Sequence, residues 1–453
     1  MGETESFQAV PQVDVQWFPR FKEASEFESL TALAGEKAYR AEQRERFLSG
    51  EIENPVLDYP NIDEEDLTRR EQEFLALKKD ILAGEENEIV KQVYRWRINE
   101  KIAGLRMLLA VDKGDTRRFK RYTEFIYGKP SPEIFAYTVQ SLHLELEKCL
   151  DSENPELQKV AEELIRLLPQ DLEGVKVFAL PSEETVQLVQ ESTLKEIGAL
   201  VNISEISGVL EAEDIKQVFE QSLQTLKAEG WQIVIDTGSA TEIRVSQAKK
   251  EIKIPESRKL LFNRMRTLIA HEIGTHVARR IRGERSKLML LGLGLDRYES
   301  GEEGIATMRE QAIRGKLKDF SGLEGHLAIS LACGLDGKPR DFRGVYEVLQ
   351  KYFLFKQIIK GKDSVTAEKQ AQIKAWNRCI RTFRGTGCST AGTCFTKDIV
   401  YRKGNIGVWN VVKERPEEMQ RFSVGKYDPA NPRHIWVLEQ LGITDKDLVS
   451  LGA

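Results

Sequence analysis

The stretch RKLLFNRMRTLIAHEIGTHVARRIRG, residues 258–283, decides how the chain is read. It holds two of the five histidines, His271 and His276, with Glu272 beside the first. A His-Glu pair followed by a second His marks the metal-binding helix of zinc hydrolases. There the spacing is HExxH, which stacks both imidazoles one turn apart on one face. Here one further residue intervenes, giving HEIGTH. In a regular α-helix, positions five apart are rotated by about 140° and face different ways. The spacing therefore predicts a π-bulge, a locally widened turn that absorbs one residue and is found mostly at functional sites. Gly274 costs a helix interior roughly 0.5–1 kcal/mol relative to alanine, which fits a distorted turn. Upstream, Leu261, Met265 and Leu268 recur at the spacing of a buried helical stripe, and Ser257 is placed to cap its start. The plainer alternative is a core helix ending on two polar histidines.

At 453 residues the chain has room for two or three domains, since domains run to about 100–200 residues each. Apolar residues are plentiful beside the charged ones, which excludes global disorder. No run approaches the roughly 18–20 apolar residues that cross a bilayer, so no membrane partner is expected. The start, MGETESFQAVPQVDVQWFPRF, lacks the basic head and apolar segment of a secretory signal. The cysteines, Cys149, Cys333, Cys379, Cys388 and Cys394, are few, odd in number and irregularly spaced. They suit a reducing, cytoplasmic setting and read as free thiols. The net charge of −5 argues against nucleic acid as a partner. From Lys338 to Lys403, however, fifteen Lys and Arg stand against five Asp and Glu, which points to a local anionic partner.

Along the chain, residues 1–30 read as an arm and 31–190 as a helical region, with helices over about 26–46, 64–83, 85–112 and 119–127. Pro132 opens another that runs to about Leu150, and Pro155 to Leu168 forms the next. Ile89, Val93, Ile98, Ile102, Leu105 and Leu109 give the 85–112 helix its apolar face. His143 lies on a Leu-rich face and reads as structural. Beyond about residue 190, short β-like runs appear: WQIVI (231–235), EIRV (242–245) and EIKI (251–254). A small sheet leading into the HEIGTH helix is the layout of many metallopeptidases, where a strand edge pairs with an extended peptide.

A catalytic zinc site needs three protein ligands and an open water position. Downstream candidates are Glu302, Glu303 and His326. Ser300 and Glu303 equally fit a capping box that closes a helix start, so from spacing alone cap and ligand stand level. His326, in GLEGHLAISLACG, reads as packed in a helix.

HEIGTH followed by Glu303-Gly304-Ile305-Ala306 resembles the signature of the MATCAP-like tyrosine/phenylalanine carboxypeptidases. This family of zinc metallopeptidases includes tubulin-detyrosinating enzymes and many bacterial members. Its pattern is HEIxTH and an EGLA-like box, with Ile here for Leu. FRGTGCSTAGTCFTKDIVYRKG (383–404) is similar to its FRGT…FTKD…Y…G segment, and FIYGKPS (125–131) to its LYGxP element. The run after HEIGTH, ARRIRGERSKLML, departs from the family's polar, Asn-Gly-containing one and leaves substrate preference open. The resemblance implies Zn2+ on His271, His276 and Glu303, with Glu272 as catalytic base. It implies an α+β, mostly helical fold, in which a zincin-like metallopeptidase domain with a small sheet occupies 191–453. The expected activity is release of a C-terminal residue, aromatic or large apolar, from a peptide or protein tail that an acidic character would suit. Recognition of a free carboxylate calls for Arg or Lys. Arg384 and Lys397 are the candidates, and Tyr401 is placed to hydrogen-bond the developing oxyanion. The rivals are a zinc endopeptidase and a non-catalytic metal-bearing binding module.

Overall fold

Among the described residues, two small sheets sit within a mostly helical α+β architecture. The computed structural model describes residues 11–27, 29–170, 175–201, 208–238, 242–315 and 317–444. Residues 1–10 and 28 of the expected arm, and 445–453 at the end of the expected catalytic domain, lie outside the described residues.

The first part comprises α1 (Phe18–Ala24), α2 (Ser29–Ala32), α3 (Lys37–Leu48), α4 (Glu64–Gly84), α5 (Glu88–Asp112), α6 (Thr116–Tyr127), α7 (Pro132–Glu147), α8 (Pro155–Leu167) and α9 (Glu183–Leu200). Polar caps start most of them. Asp63, Asn87, Asp115, Ser131 and Asn154 each accept from backbone N–H groups of the first turn. The expected helix over 26–46 is broken between α2 and α3. Asp58 reaches back there, accepting from the Glu36 N–H at 2.8 Å and pairing with Arg40 at 2.7 Å. The segment before α1 is fastened by Asp14, a buried carboxylate that accepts from Tyr94 Oη at 2.8 Å and from the N–H groups of Met289 and Leu290.

Next come β1 (Val209–Leu210), α10 (Ala212–Thr225), β2 (Gln232–Asp236), β3 (Arg244–Ser246), β4 (Glu251–Pro255) and β5 (Leu260–Leu261). β4 is central in the order β2-β4-β3, parallel to β2 and antiparallel to β3. Its Ile252 and Ile254 are buried against α10 and the helix that follows. The start of the decisive stretch departs from expectation. Residues 260–261 pair with β1 as a strand, which satisfies their backbone groups, so the helix begins at Phe262 and Ser257 does not cap it.

The remaining helices are α11 (Phe262–Leu268), a π-helical segment (Ile269–Val277), α12 (Ala278–Arg285), α13 (Leu290–Leu293), α14 (Glu299–Arg314), α15 (Leu323–Cys333), α16 (Phe342–Ile359), α17 (Ser364–Phe383), α18 (Ile399–Glu414) and α19 (Pro432–Gln440). Apolar clusters tie early elements to late ones. Trp17, Phe21, Phe74 and Tyr94 share a core with Leu288, Val424 and Tyr427, while Phe47 and Leu142 share another with α15–α17. The same pattern places α14 between α9, the π segment and α18.

Candidate active site

The widened turn is present. Ile269–Val277 is π-helical, and it brings the imidazoles of His271 and His276 to 5.0 Å between ring centroids although they are five positions apart. Ile269, Ile273 and Val277 hold the opposite face in the core above β4. Thr275 Oγ1 donates to the Ala270 carbonyl at 2.8 Å, and Arg309 of α14 donates to the Gly274 carbonyl at 2.8 Å. Gly274 is less constrained than its position suggested. A Cβ there would meet nothing closer than 3.5 Å. Hydrogen bonds, rather than glycine's freedom, fasten the turn.

α14 supplies the carboxylates. It begins at Glu299 with Tyr298 as its cap residue, so Ser300 and Glu303 both lie inside the helix and the capping-box alternative is overturned. Glu303 faces the histidines. One donor atom each from His271, His276 and Glu303 all lie within 4.8 Å of one another. Its neighbour Glu302 turns inward and is 3% exposed. Glu302 Oε1 lies 3.0 Å from His276 Nδ1 and 2.9 Å from Lys426 Nζ, and Arg279 pairs with Oε2. Burial alone would raise the Glu302 pKa, but Lys426 and Arg279 outweigh it and keep the group well below the usual carboxylate range. Glu310, two turns beyond Glu303, places Oε1 2.7 Å from His271 Nδ1. Both Nδ1 atoms thus lie against carboxylates, the kind of contact that fixes the ring of a metal-binding histidine. Burial disfavours a charged His271, yet Glu310, Glu272 and Glu303 lift its pKa to about 9. The site attracts positive charge. His326 is elsewhere, 3.2 Å from Ser330 Oγ, and burial pushes its pKa down to about 3.

α18 closes the site because α14 lets it come near. A Cβ on Gly304 would lie 2.4 Å from the Gly404 carbonyl oxygen, and one on Gly404 would collide with the Ser300 backbone. This crossing sets Tyr401 beside Glu303, whose charge, with burial second, pushes the phenol up to about 12. Lys397 pairs with Glu299 at 2.7 Å and lies over the Tyr127 ring. Arg384, at the end of α17, is partly buried, and its guanidinium makes no hydrogen bond or ion pair with the described residues. Of the two expected anchors, one is already committed to a carboxylate and the other is not.

All seven expected site residues line one cleft of about 2610 Å³. Twenty Lys and Arg line it against twelve Asp and Glu, whereas the whole chain carries −5. The cleft also runs along β3, one of the two edge strands, and just past it Gln247 Nε2 donates to the His276 carbonyl at 3.2 Å. The supporting groups Glu310, Arg279 and Lys426 were not among the expected residues. Glu310 had a signal, since it follows Glu303 by seven residues on one helix face. Lys426 had none, because it arrives from a distant segment.

A family model described as microtubule-associated tyrosine carboxypeptidase matches residues 182–319 and 363–447. No curated protein matches the chain.

Proposed function

Since the chain belongs to the microtubule-associated tyrosine carboxypeptidase family, we propose that it is a zinc metallocarboxypeptidase. It removes a C-terminal residue, aromatic or large apolar, from a peptide or protein tail. The observation that carries this reading is the convergence of His271, His276 and Glu303 beside Glu272 at a cation-rich cleft. Two imidazoles and one carboxylate suit zinc, and the surplus of carboxylates around the imidazoles favours a bound cation. His271, His276 and Glu303 would hold it. When bound, such an ion lowers the pKa of water to about 7 and polarises a carbonyl.

The chain's own groups do the rest. Glu272, adjacent to His271, takes the proton of the attacking water on its carboxylate and passes it to the leaving amine. Tyr401, set beside Glu303 by the α14–α18 crossing, donates its phenol proton to the developing oxyanion. Arg384 takes the terminal carboxylate in its planar fork. Lys397, neutralised by Glu299, supports Arg384 rather than replacing it. The β3 edge pairs with the extended tail, and the excess of cations steers acidic tails into the cleft. Among the described residues no helix is long and apolar enough to cross a membrane, and a cytoplasmic site of action suits the free thiols.

The test compares a peptide acid with its C-terminal amide, using zinc-loaded wild type and Arg384→Ala. Wild type releases the last residue of the acid and spares the amide. In Arg384→Ala, kcat/KM on the acid falls about 10–100-fold, the worth of a charge-assisted hydrogen bond. Cleavage of the amide at internal bonds by the wild type would mean an endopeptidase instead.

A further inference from the structure

Away from the metal ligands, two of the five thiols face each other. Cys333 ends α15, and Cys394 lies between α17 and α18. Their Sγ atoms are 3.5 Å apart across 61 positions of sequence. Neither residue is needed to hold the approach. The Lys120 ammonium donates to the Gly392 carbonyl at 2.8 Å, Phe395 N–H donates to the Thr382 carbonyl at 2.7 Å, and Thr396 N–H donates to Thr123 Oγ1 at 3.0 Å. The segment is therefore pinned on both sides of Cys394. Cys394 is sealed at 2% exposure, whereas Cys333 is only partly buried and meets solvent. The two sulfurs divide naturally into an accessible attacking thiol and a sheltered resolving one. The hydrogen bond from Cys394, aided by Lys120, also lowers the Cys333 thiol from its usual value.

We propose that Cys333 and Cys394 form a reversible oxidation site, converted to an intramolecular disulfide by a small oxidised disulfide such as glutathione disulfide. The Cys333 thiolate attacks one sulfur of the glutathione disulfide, whose S–S bond breaks to release one glutathione thiolate. The Cys394 sulfur then gives up its proton and attacks the Cys333 sulfur of the mixed disulfide, releasing the second glutathione. Two protein thiols are oxidised, one glutathione disulfide is reduced to two glutathiones, and the two thiol protons end on them. The new bond ties the end of α15 to the segment that carries Arg384 before Cys394 and Lys397 after it. It closes a long loop in the unfolded chain, which favours the folded state. The inference rests on sulfur geometry and is independent of the peptidase reading.

The experiment incubates reduced full-length protein, freed of reductant, with glutathione disulfide, blocks remaining thiols and maps the digest by mass spectrometry. Expected is a peptide pair joining Cys333 to Cys394, cleaved by dithiothreitol, together with a thermal midpoint above that of the reduced protein. Cys149→Ser retains both results, and Cys333→Ser loses both. Cys394→Ala is the second variant, and it leaves glutathione lodged on Cys333. Wild type in which both thiols are alkylated after oxidation, or in which Cys333 keeps glutathione while Cys394 stays free, overturns the proposal.

Discussion

Helix α5 and the π segment are both deeply packed, yet they are built on different rules. α5 runs twenty-five residues from a single Asn87 cap, and Val90, Val93, Ile98, Ile102, Leu105 and Leu108 are buried along it. Its apolar residues keep the ordinary helical period, and the polar groups it buries, Tyr94 and the Arg97–Glu100 pair, fit that period without widening it. The π segment answers to two demands at once. Toward the core, Ile269, Ile273 and Val277 keep a spacing of four, while toward the cleft His271 and His276 keep a spacing of five. Widening one stretch of helix reconciles the two. An irregular period inside an otherwise regular helix is thus where chemistry overrides packing.

The largest expected effect lies on the cleft side. Glu272→Gln should keep bound zinc and the thermal midpoint but lower kcat about 10²–10⁴-fold, as removal of a general base does. Metal analysis beside a peptide-release assay checks it, and a zinc-loaded variant with wild-type turnover would contradict the assignment. In α5 the expectation is reversed. Leu108→Ala, at a position with 0% exposure, should cost about 2–5 kcal/mol of stability by denaturant unfolding. Its kcat should be unchanged where the protein stays folded. The smallest effect falls between chemistry and packing. Glu310→Gln should weaken zinc affinity about 10–100-fold, read by chelator competition, with little change in folding. Glu310 suits this test better than Glu302, because loss of Glu302 would strand two buried cations, Lys426 and Arg279.

Much of the fold is legible in the order of residues alone. The periods of α4 to α8, the β-like runs and the bulge all follow from local spacing, which is physics the chain carries in neighbouring residues. The boundaries that moved did so for non-local reasons: Asp58 breaking the 26–46 helix, and β1 drawing residues 260–261 into a strand. In the site, the choice between Glu302 and Glu303 was undecidable from spacing, because adjacent helical positions differ by about 100° and either could face the histidines. What turns Glu302 inward is a pair of cations from α12 and from residue 426, and no local pattern announces them. The commitment of Lys397 to Glu299 was hidden for the same reason.

The contact between Gly304 and Gly404 acts as a gauge made of missing atoms. A single added methyl group on either helix would wedge the two backbones apart and carry the phenol of Tyr401 away from the Glu303 carboxylate, with no change to any reactive side chain. The reach across the proposed reaction centre is therefore set by two residues outside the proposed chemistry, and loss of either would leave every candidate group present but out of step.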